Sequence, residues 1–367
     1  LYTLFRPVVP KKYIESVGNR VFDEKPLGSG PYRLEYWKKN KELILVRNED
    51  YWAGKPYFKK VIFVPVEDDL ERINFVIDNR VDIAFEVDPP LLKSFKNTPK
   101  LRIYEKPGLT YYYLGFSFQL PPYSDLRFRK AFYHSIDWDR FIKERVGEYG
   151  VSRCYSILPE PLWPDDNEFL KSHIPEFSPE KAKSLIRELF NEGILNDSLS
   201  LKIYCVSDPY REEFIGHLAM EFYKNTGLHL ETYSLSWDLL DRRIRSGEVG
   251  IFLSSWIDRP DPDFYLFSLL HGNSSQNDCF YNNFSVNISL TKARSKDNRS
   301  FRSIFYRDVL RQALFRDICH IPLFTFSEVI ISRAVIDGVV LRSDGIFYLF
   351  NTSESDQVHK RPFHNVR

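Results

Sequence analysis

The chain has 367 residues, of which 43% are hydrophobic and 28% charged, and its 51 lysines and arginines face 50 acidic residues. This composition is that of a folded globular protein of two or three lobes. The net charge of +1 gives no overall attraction for nucleic acid or anionic lipid, so we expect no nucleic-acid partner. No apolar run approaches the length that a bilayer span needs. The first residues include neither Met nor a secretion signal, and we therefore expect a mature or truncated chain.

Aromatic residues are unusually frequent, at 16% of the chain. Most of them are expected in the core, and a minority could line a ligand cleft, because aromatic rings offer large, rigid contact areas.

The four cysteines are Cys154, Cys205, Cys279 and Cys319. None forms a Cys-x-x-Cys pair, which disfavours a zinc ribbon or a redox motif. One or two disulfides would suit a secreted protein, and four buried thiols are an equally good interpretation.

The first hundred residues predict strands that alternate with one helix. A Gly-Ser-Gly-Pro turn at 28–31 precedes residues of period-2 patterning. The expected elements are a hairpin of residues 32–37 and 43–46, a buried strand at 61–66, a helix at 71–79 with Ile73, Val76 and Ile77 on one face, and a strand at 81–85. This order of strand, helix and strand is typical of an α/β lobe.

The middle of the chain predicts a second α/β unit. An extended aromatic segment at 110–118 runs into Pro121-Pro122, and a lobe boundary is expected there. Helices are predicted to begin after Asp125, Asp137, Ser178 and Asp208, which are all good N-caps. The later expected elements are strands at 199–206, 228–233 and 249–256, helices that end at Gly193 and Gly227, a helix at 301–314 and an extended segment at 321–331. A parallel or mixed sheet follows from this order.

The elements give a provisional domain plan. Residues 1–117 would form part of a first lobe, residues 118–322 the second lobe, and residues 323–350 a return to the first lobe. The last stretch, 351–367, is polar and is expected to be disordered.

Three motifs together resemble one protein family. They are Gly-Ser-Gly-Pro-Tyr at 28–32 with Asn-Glu-Asp-Tyr-Trp at 48–52, the segment 121–131 that leads to Ser-Ile-Asp at 135–137, and Trp-Ile-Asp-Arg-Pro-Asp-Pro at 256–262. Their order and spacing resemble the bacterial extracellular solute-binding proteins of family 5, the oligopeptide-, dipeptide- and nickel-binding components of ABC transporters.

The resemblance implies a fold and a function. The fold is α/β and two-lobed, like a class II periplasmic binding protein of the large peptide-binding type, with an N-terminal part missing from this chain. The function is to enclose a short peptide between two lobes and to deliver it to the ABC permease subunits in the inner membrane. The expected protein is a monomer without a cofactor, located in the periplasm or anchored to the outer face of the membrane.

A binder of varied peptides must recognise what all peptides share: the main chain, an ammonium and a carboxylate. The resemblance assigns Asp258 to the ammonium, although only Ile257 separates it from Trp256, where two residues are usual in the family. Asp261 is the alternative partner, unless it serves as a helix cap. Arg243 resembles an arginine that meets the carboxyl end of the ligand, and the competing interpretation is a solvated helix face.

Aromatic positions complete the expected site. Trp237 and Trp256 match residues that pack along the ligand in relatives, and core packing is the alternative. On the crossing strand, alternation places Tyr111 and Tyr113 on one side and Tyr112 on the other, and the sequence leaves open which side faces the ligand. Tyr210 falls where some relatives place a polar ligand contact, or it merely begins a helix.

Two other kinds of binder remain open at this stage. The ligand could be an oligosaccharide, an opine or a metal chelate, or the fold could sense a ligand for a regulator. An enzyme is the least supported class, because the chain has no Gly-x-Ser-x-Gly elbow, no His-Glu-x-x-His helix and no phosphate loop. Its histidines are scattered, so no metal site is predicted.

Overall fold

The computed structural model describes residues 9–162 and 167–354 and divides the chain into two compact units. Unit 1 comprises Leu1–Lys106 and Glu328–Arg367, and unit 2 comprises Pro107–Ser327. The first boundary comes earlier than the predicted one after residue 117, because residues 111–116 belong to the central sheet of unit 2. Of the polar tail predicted at 351–367, residues 355–367 lie outside the described part of the chain.

Unit 1 begins with a helix and a small sheet. Its elements up to residue 107 are α1 (Lys11–Glu24), β1 (Tyr32–Lys38), β2 (Glu42–Arg47), β3 (Lys60–Phe63), α2 (Asp69–Ile77), β4 (Ile83–Phe85), α3 (Leu92–Phe95) and β5 (Leu101–Pro107). The predicted hairpin is confirmed, since β1 and β2 pair antiparallel with Trp37 opposite Leu43. The predicted burial of the third strand is wrong, because β3 lies at the edge of a three-stranded sheet and alternates between exposed and half-buried residues.

The core of unit 1 forms around α2. Asp68 caps this helix by accepting a hydrogen bond from the Glu71 N–H at 2.7 Å. As predicted from the 3.6-residue period, Ile73 and Val76 are buried, at 0% and 1% exposure, and Ile77 packs beside them.

Unit 2 contains most of the helices. Its elements are β6 (Tyr111–Phe116), α4 (Leu126–His134), α5 (Trp138–Arg145), β7 (Val151–Arg153), α6 (Asn167–Lys171), α7 (Pro179–Asn191), β8 (Leu201–Val206), α8 (Pro209–Thr226), β9 (Leu230–Leu235), α9 (Trp237–Arg245), β10 (Ile251–Trp256), α10 (Pro262–Leu270), α11 (Phe284–Arg294), α12 (Arg299–Leu310) and β11 (His320–Arg333). The predicted caps Asp125, Asp137, Ser178 and Asp208 each accept a backbone hydrogen bond at their helix. A π-helical turn at Arg311–Arg316 extends α12.

The sheet of unit 2 is mixed, as predicted. Its strands lie in the order β11-β6-β10-β8-β9, and β7 also pairs with β11. The strands β10, β8 and β9 are parallel, whereas β6 runs antiparallel to β10. The strand β11 continues past Ser327 into unit 1, where it pairs with β4. Four short strands follow it. They form two pairs: β12 (Ile336–Asp337) with β15 (Ser353–Glu354), and β13 (Val340–Leu341) with β14 (Phe347–Tyr348).

Both faces of this sheet carry a core. One face holds Leu114, Ile203 and Leu253, which pack against α4, α7 and α8. The other face holds Tyr111, Tyr113 and Phe252 in a second cluster with α10, α11 and α12. Successive residues of these strands therefore point into two different buried layers, and both faces of the sheet are apolar.

The four cysteines are free and buried thiols. Of the two interpretations open from the sequence, the structure matches the one without disulfides. Burial raises the pKa of the Cys154 thiol to about 12 and that of Cys205 to about 11, so neither forms a reactive thiolate at neutral pH.

Candidate functional site

Three parallel strands end at one edge of the unit 2 sheet. Because β8, β9 and β10 run in the same direction, the loops that follow them lie along their shared carboxyl edge. These loops lead into α8, α9 and α10. The carboxyl edge of an α/β sheet is where such folds commonly bind ligands. Four of the predicted site residues, Tyr210, Trp237, Trp256 and Asp258, lie on or beside it.

Asp258 lies in the loop between β10 and α10 and is half-buried. Its Oδ1 accepts a hydrogen bond from the N–H of Arg259 at 2.7 Å. The hydroxyl of Tyr265 donates to the backbone carbonyl of Leu109 at 2.8 Å and lies 3.3 Å from the N–H of Asp258, which anchors the loop. Within the described chain no cationic side chain pairs with the Asp258 carboxylate.

Asp261, the alternative partner, is a structural residue. Its side chain is 7% exposed, and its Oδ1 caps α10 by accepting from the Asp263 N–H at 2.8 Å. The guanidinium of Arg302 binds both carboxylate oxygens, with Nη1 2.9 Å from Oδ2. A carboxylate that is capped and paired in this way has no capacity left for a ligand ammonium.

Trp256 and Trp237 differ in burial. Trp256 is half-buried against the core, and its Nε1 donates to the carbonyl of Phe264 at 3.2 Å. Trp237, the first residue of α9, is 56% exposed. Trp237 therefore offers an aromatic surface at the carboxyl edge, whereas Trp256 mainly supports the loop that carries Asp258.

Arg243 lies away from this edge. It is half-buried in the last turn of α9, six positions after Trp237, which is about 9 Å along the helix. Its carbonyl accepts from the Glu248 N–H at 2.9 Å, just before β10 begins at the opposite edge. The structure therefore does not bring Arg243 together with Asp258.

Tyr111 and Tyr113 occupy the core. They are 0% and 1% exposed, stack on each other at 5.0 Å, and Tyr113 stacks on His320 at 4.2 Å. Burial raises the pKa of both phenols well above the usual range and lowers the pKa of His320 to about 3. The predicted alternation is confirmed, but these two rings are on the buried side of β6 and present no surface to a ligand.

On the other side of β6, Leu114 and Phe116 are buried and Tyr112 is half-buried, and we call the partly exposed surface around Tyr112 the aromatic shelf. Tyr112 lies opposite Ser255 in the pairing of β6 with β10, and its ring contacts Phe326 at 5.5 Å. Phe326 also lies 6.1 Å from the ring of Tyr210, which is 37% exposed. The guanidinium of Arg211 lies over Tyr112 at 5.7 Å. The aromatic shelf is therefore formed by Tyr112, Tyr210, Arg211, Ser255 and Phe326.

Of this set, the sequence assigned Tyr210 to the site and named Tyr112 only as the residue on the other side of its strand from Tyr111 and Tyr113. Period-2 alternation separated Tyr112 from its neighbours but could not tell which side was open. Arg211 follows the helix start at Pro209 and Tyr210, so its pattern alone does not distinguish it from an ordinary first-turn residue. The pairing of Tyr112 with Ser255 depends on strand register, which the sequence does not give.

Over residues 9–162 and 167–354, no three His, Cys, Asp or Glu side chains form a group able to hold a metal ion. In the same residues, no helix combines the length and the apolar character that a bilayer crossing needs.

Comparison with known proteins gives one family. The model of the bacterial extracellular solute-binding proteins, family 5 Middle, matches residues 2–277. The heme-binding protein A of Haemophilus influenzae is 24% identical over 289 residues, and the dipeptide-binding protein of Escherichia coli is 22% identical over 312 residues. These matches cover 78% and 83% of this chain, and 52% and 57% of the two relatives, so the chain spans little more than half of their length.

Solved structures share the fold. The ABC transporter-associated periplasmic binding protein DppA of Helicobacter pylori, in complex with the peptide STSA, superposes with a TM-score of 0.75 at 20% sequence identity. The match covers 95% of this chain and 68% of that structure. The α/β fold of the periplasmic binding proteins, predicted from the three motifs, is confirmed by this similarity.

Proposed function

Because the chain belongs to family 5 of the bacterial extracellular solute-binding proteins, we propose that it binds short peptides and delivers them to an ABC permease in the inner membrane. The place of action is the periplasm or the outer face of that membrane. The proposal contains no catalytic step, since family 5 is defined by solute binding. The protein acts as a monomer and without a cofactor.

The observation that carries the proposal is the carboxylate of Asp258, which has no cationic partner among the described residues and lies at the carboxyl edge of the unit 2 sheet. A carboxylate with no cation beside it can form a charge-assisted hydrogen bond with a ligand cation. A peptide ammonium supplies that charge together with up to three hydrogen-bond donors. The loop is anchored through Tyr265, so the carboxylate is held in place before the ligand arrives.

The aromatic residues at the same edge suit a peptide of varied sequence. Trp237 and Tyr210 present exposed rings that can pack on main chain or side chains of many kinds. Trp256 holds the loop, and Tyr111 and Tyr113 support the sheet from its buried side. No ligand contact is proposed for Arg243, because it lies near the opposite edge of the sheet.

A metal chelate is the second candidate, because a relative named for heme binding matches 78% of the chain. Asp258 favours the peptide, since it offers a negative charge that an ammonium would neutralise.

The test is native mass spectrometry of the intact natural protein purified from its own cells. We expect co-purified peptides of a few residues and of mixed sequence. Bound heme, a nickel chelate or an oligosaccharide in place of peptides would contradict the proposal. Isothermal titration with trialanine, heme and a malto-oligosaccharide provides the matched comparison in solution.

A further inference from the structure

The helices α11 and α12 pack against each other, and one side of this pair is buried in the core of unit 2. The residues that the pair buries recur at helical spacing: Val286, Leu290, Ala293, Tyr306, Val309 and Leu310. Only residues 295–298 connect the two helices, and a connection this short makes them antiparallel neighbours. The opposite side of each helix therefore faces solvent.

Large apolar side chains lie on the solvent side of this helix pair. Phe284 and Ile288, four positions apart on α11, are both exposed, Phe284 to 81%. On α12, Phe301 and Ile304 are exposed, Ile304 to 59%. Ile288 lies six residues before the end of α11 and Ile304 five residues after the start of α12, which places both about 8 to 9 Å from the connection. The two helices thus expose apolar residues at the same level of the pair.

The same two helices concentrate positive charge. The segment 284–310 contains six basic and two acidic residues, whereas the whole chain has a net charge of only +1. Arg294 and Arg302 pair with Asp263 and Asp261 on α10 and the loop before it. The other four basic residues are exposed: Lys292, Lys296, Arg299 and Arg307. The solvent side of the pair is therefore cationic as well as apolar.

We call Phe284, Ile288, Lys292, Phe301 and Ile304 the helix-pair surface. Its combination of residues suits an anionic bilayer. Exposed apolar side chains on a helix can enter the boundary between lipid headgroups and acyl chains, and lysines beside them are attracted to anionic headgroups. Lys292 continues the row of Phe284 and Ile288 along α11 at a spacing of four, so one face of the helix carries both kinds of contact. With 81% exposure, Phe284 projects from the helix instead of lying in a groove that a partner side chain would fill.

We propose that the helix-pair surface binds an anionic lipid bilayer, with Phe284, Ile288 and Ile304 at the acyl-chain boundary and Lys292 against the headgroups. Binding through so few apolar side chains is reversible. It would keep the protein close to the membrane that contains the permease. The inference goes beyond peptide binding and does not depend on it, because the helix-pair surface includes neither Asp258 nor any residue of the aromatic shelf.

The experiment is sedimentation of the intact natural protein with two kinds of protein-free vesicle. One consists of phosphatidylcholine, and the other of equal parts of phosphatidylcholine and phosphatidylglycerol. We expect affinity for the anionic vesicles to be about 10-fold or more above that for the neutral ones, and to fall at high salt. Phe284→Gln and Ile304→Gln should each weaken binding to anionic vesicles about 5- to 50-fold, and Lys292→Gln about 5-fold.

Matched controls lie on other helices of unit 2. Met220 on α8 is 60% exposed, so Met220→Gln removes an apolar side chain as exposed as that of Ile304. Lys183 is an exposed lysine on α7, so Lys183→Gln is the control for Lys292→Gln. Neither control should change vesicle binding. All of these variants should keep the melting temperature of the natural protein and its affinity for trialanine.

Three results would overturn the inference. If the natural protein binds neither kind of vesicle, or both equally, an anionic bilayer is not the partner. If Met220→Gln weakens binding as much as Ile304→Gln does, binding is not a property of the helix-pair surface. Binding to membranes of its own cells without binding to protein-free vesicles would identify a membrane protein as the partner instead. None of these results bears on peptide binding, which titration with trialanine tests separately.

Discussion

Arg302 binds both carboxylate oxygens of Asp261 at the first turn of α10. Three residues earlier, Asp258 has no cationic partner in the described chain. Two carboxylates of one short loop therefore have different surroundings, because one is neutralised within unit 2 and the other has no cation beside it among the described residues. Their replacement should consequently affect different measurable properties.

Replacement of Asp258 is expected to affect binding and to leave stability unchanged. Asp258→Asn keeps the size of the side chain and removes the charge that would attract a peptide ammonium. We expect affinity for trialanine to fall about 10- to 100-fold in calorimetric titration, with an unchanged melting temperature. An unchanged affinity would reassign Asp258 to the local turn that it forms with Arg259.

Replacement of Arg302 is expected to affect stability. Arg302→Ala leaves the Asp261 carboxylate, whose side chain is 7% exposed, without its cation, and breaking such a buried pair costs about 3–5 kcal/mol of unfolding free energy. Urea denaturation measures this. The matched control is Arg311→Ala, which breaks an exposed pair with Asp308 and should cost less than about 1 kcal/mol. Equal losses in the two variants would show that the buried pair contributes no more than a surface pair.

The hydroxyl of Tyr111 offers a test of core packing. It is buried without a hydrogen-bond partner in the part of the chain that the structure describes, so Tyr111→Phe removes an unsatisfied polar group. We expect the unfolding free energy to stay unchanged or to rise by about 1 kcal/mol. Tyr265→Phe is the control, because its hydroxyl donates to the carbonyl of Leu109 at 2.8 Å and its loss should cost about 1–2 kcal/mol. A large loss for Tyr111→Phe would indicate a polar contact that this packing does not contain.

A half-buried acid, Asp278, in the loop between α10 and α11 predicts a pH dependence of the stability. Burial raises the pKa of Asp278 from 3.8 to about 6, which Arg245 offsets in part and Asp241 reinforces. The folded protein then retains this proton between about pH 4 and pH 6 while the unfolded chain releases it. The contribution of Asp278 to stability therefore falls as the pH rises through that window and is constant above it.

Asp278→Asn should abolish the pH dependence of stability that Asp278 causes. We expect the variant to be more stable than the natural protein at pH 7, by on the order of 1 kcal/mol after allowance for the partial exposure of the residue, and equally stable at pH 4. Urea denaturation at both pH values measures the difference. A variant that is less stable at pH 7 would show that the ionised carboxylate is needed, for example by Arg245.

Much of the fold could be predicted from local patterns. The caps Asp125, Asp137 and Ser178 mark helix starts because their side chains satisfy free N–H groups, which is a local effect. The hydrophobic spacing of α2 likewise identified its buried face. The edge position of β3 could not be predicted, because it depends on which strands pair at long range.

The candidate site was only partly predictable for the same reason. The resemblance to the family assigned Asp258 to the ligand ammonium. The sequence left open whether Asp261 takes that role instead or caps a helix. Arg302, which decides this question, is 41 positions away from Asp261 in the chain. The sequence also left undecided which tyrosine of β6 is partly exposed, because both faces of the strand carry tyrosines and their burial depends on the layers that cover them.

Binding of N-acetylated trialanine is the most direct test of the central claim that Asp258 receives a peptide ammonium. Acetylation removes the ammonium and leaves the remainder of the peptide intact. We predict that it weakens binding to the natural protein about 10-fold or more and leaves binding to Asp258→Asn unchanged. Equal affinity of the natural protein for trialanine and for its acetylated form would contradict the account.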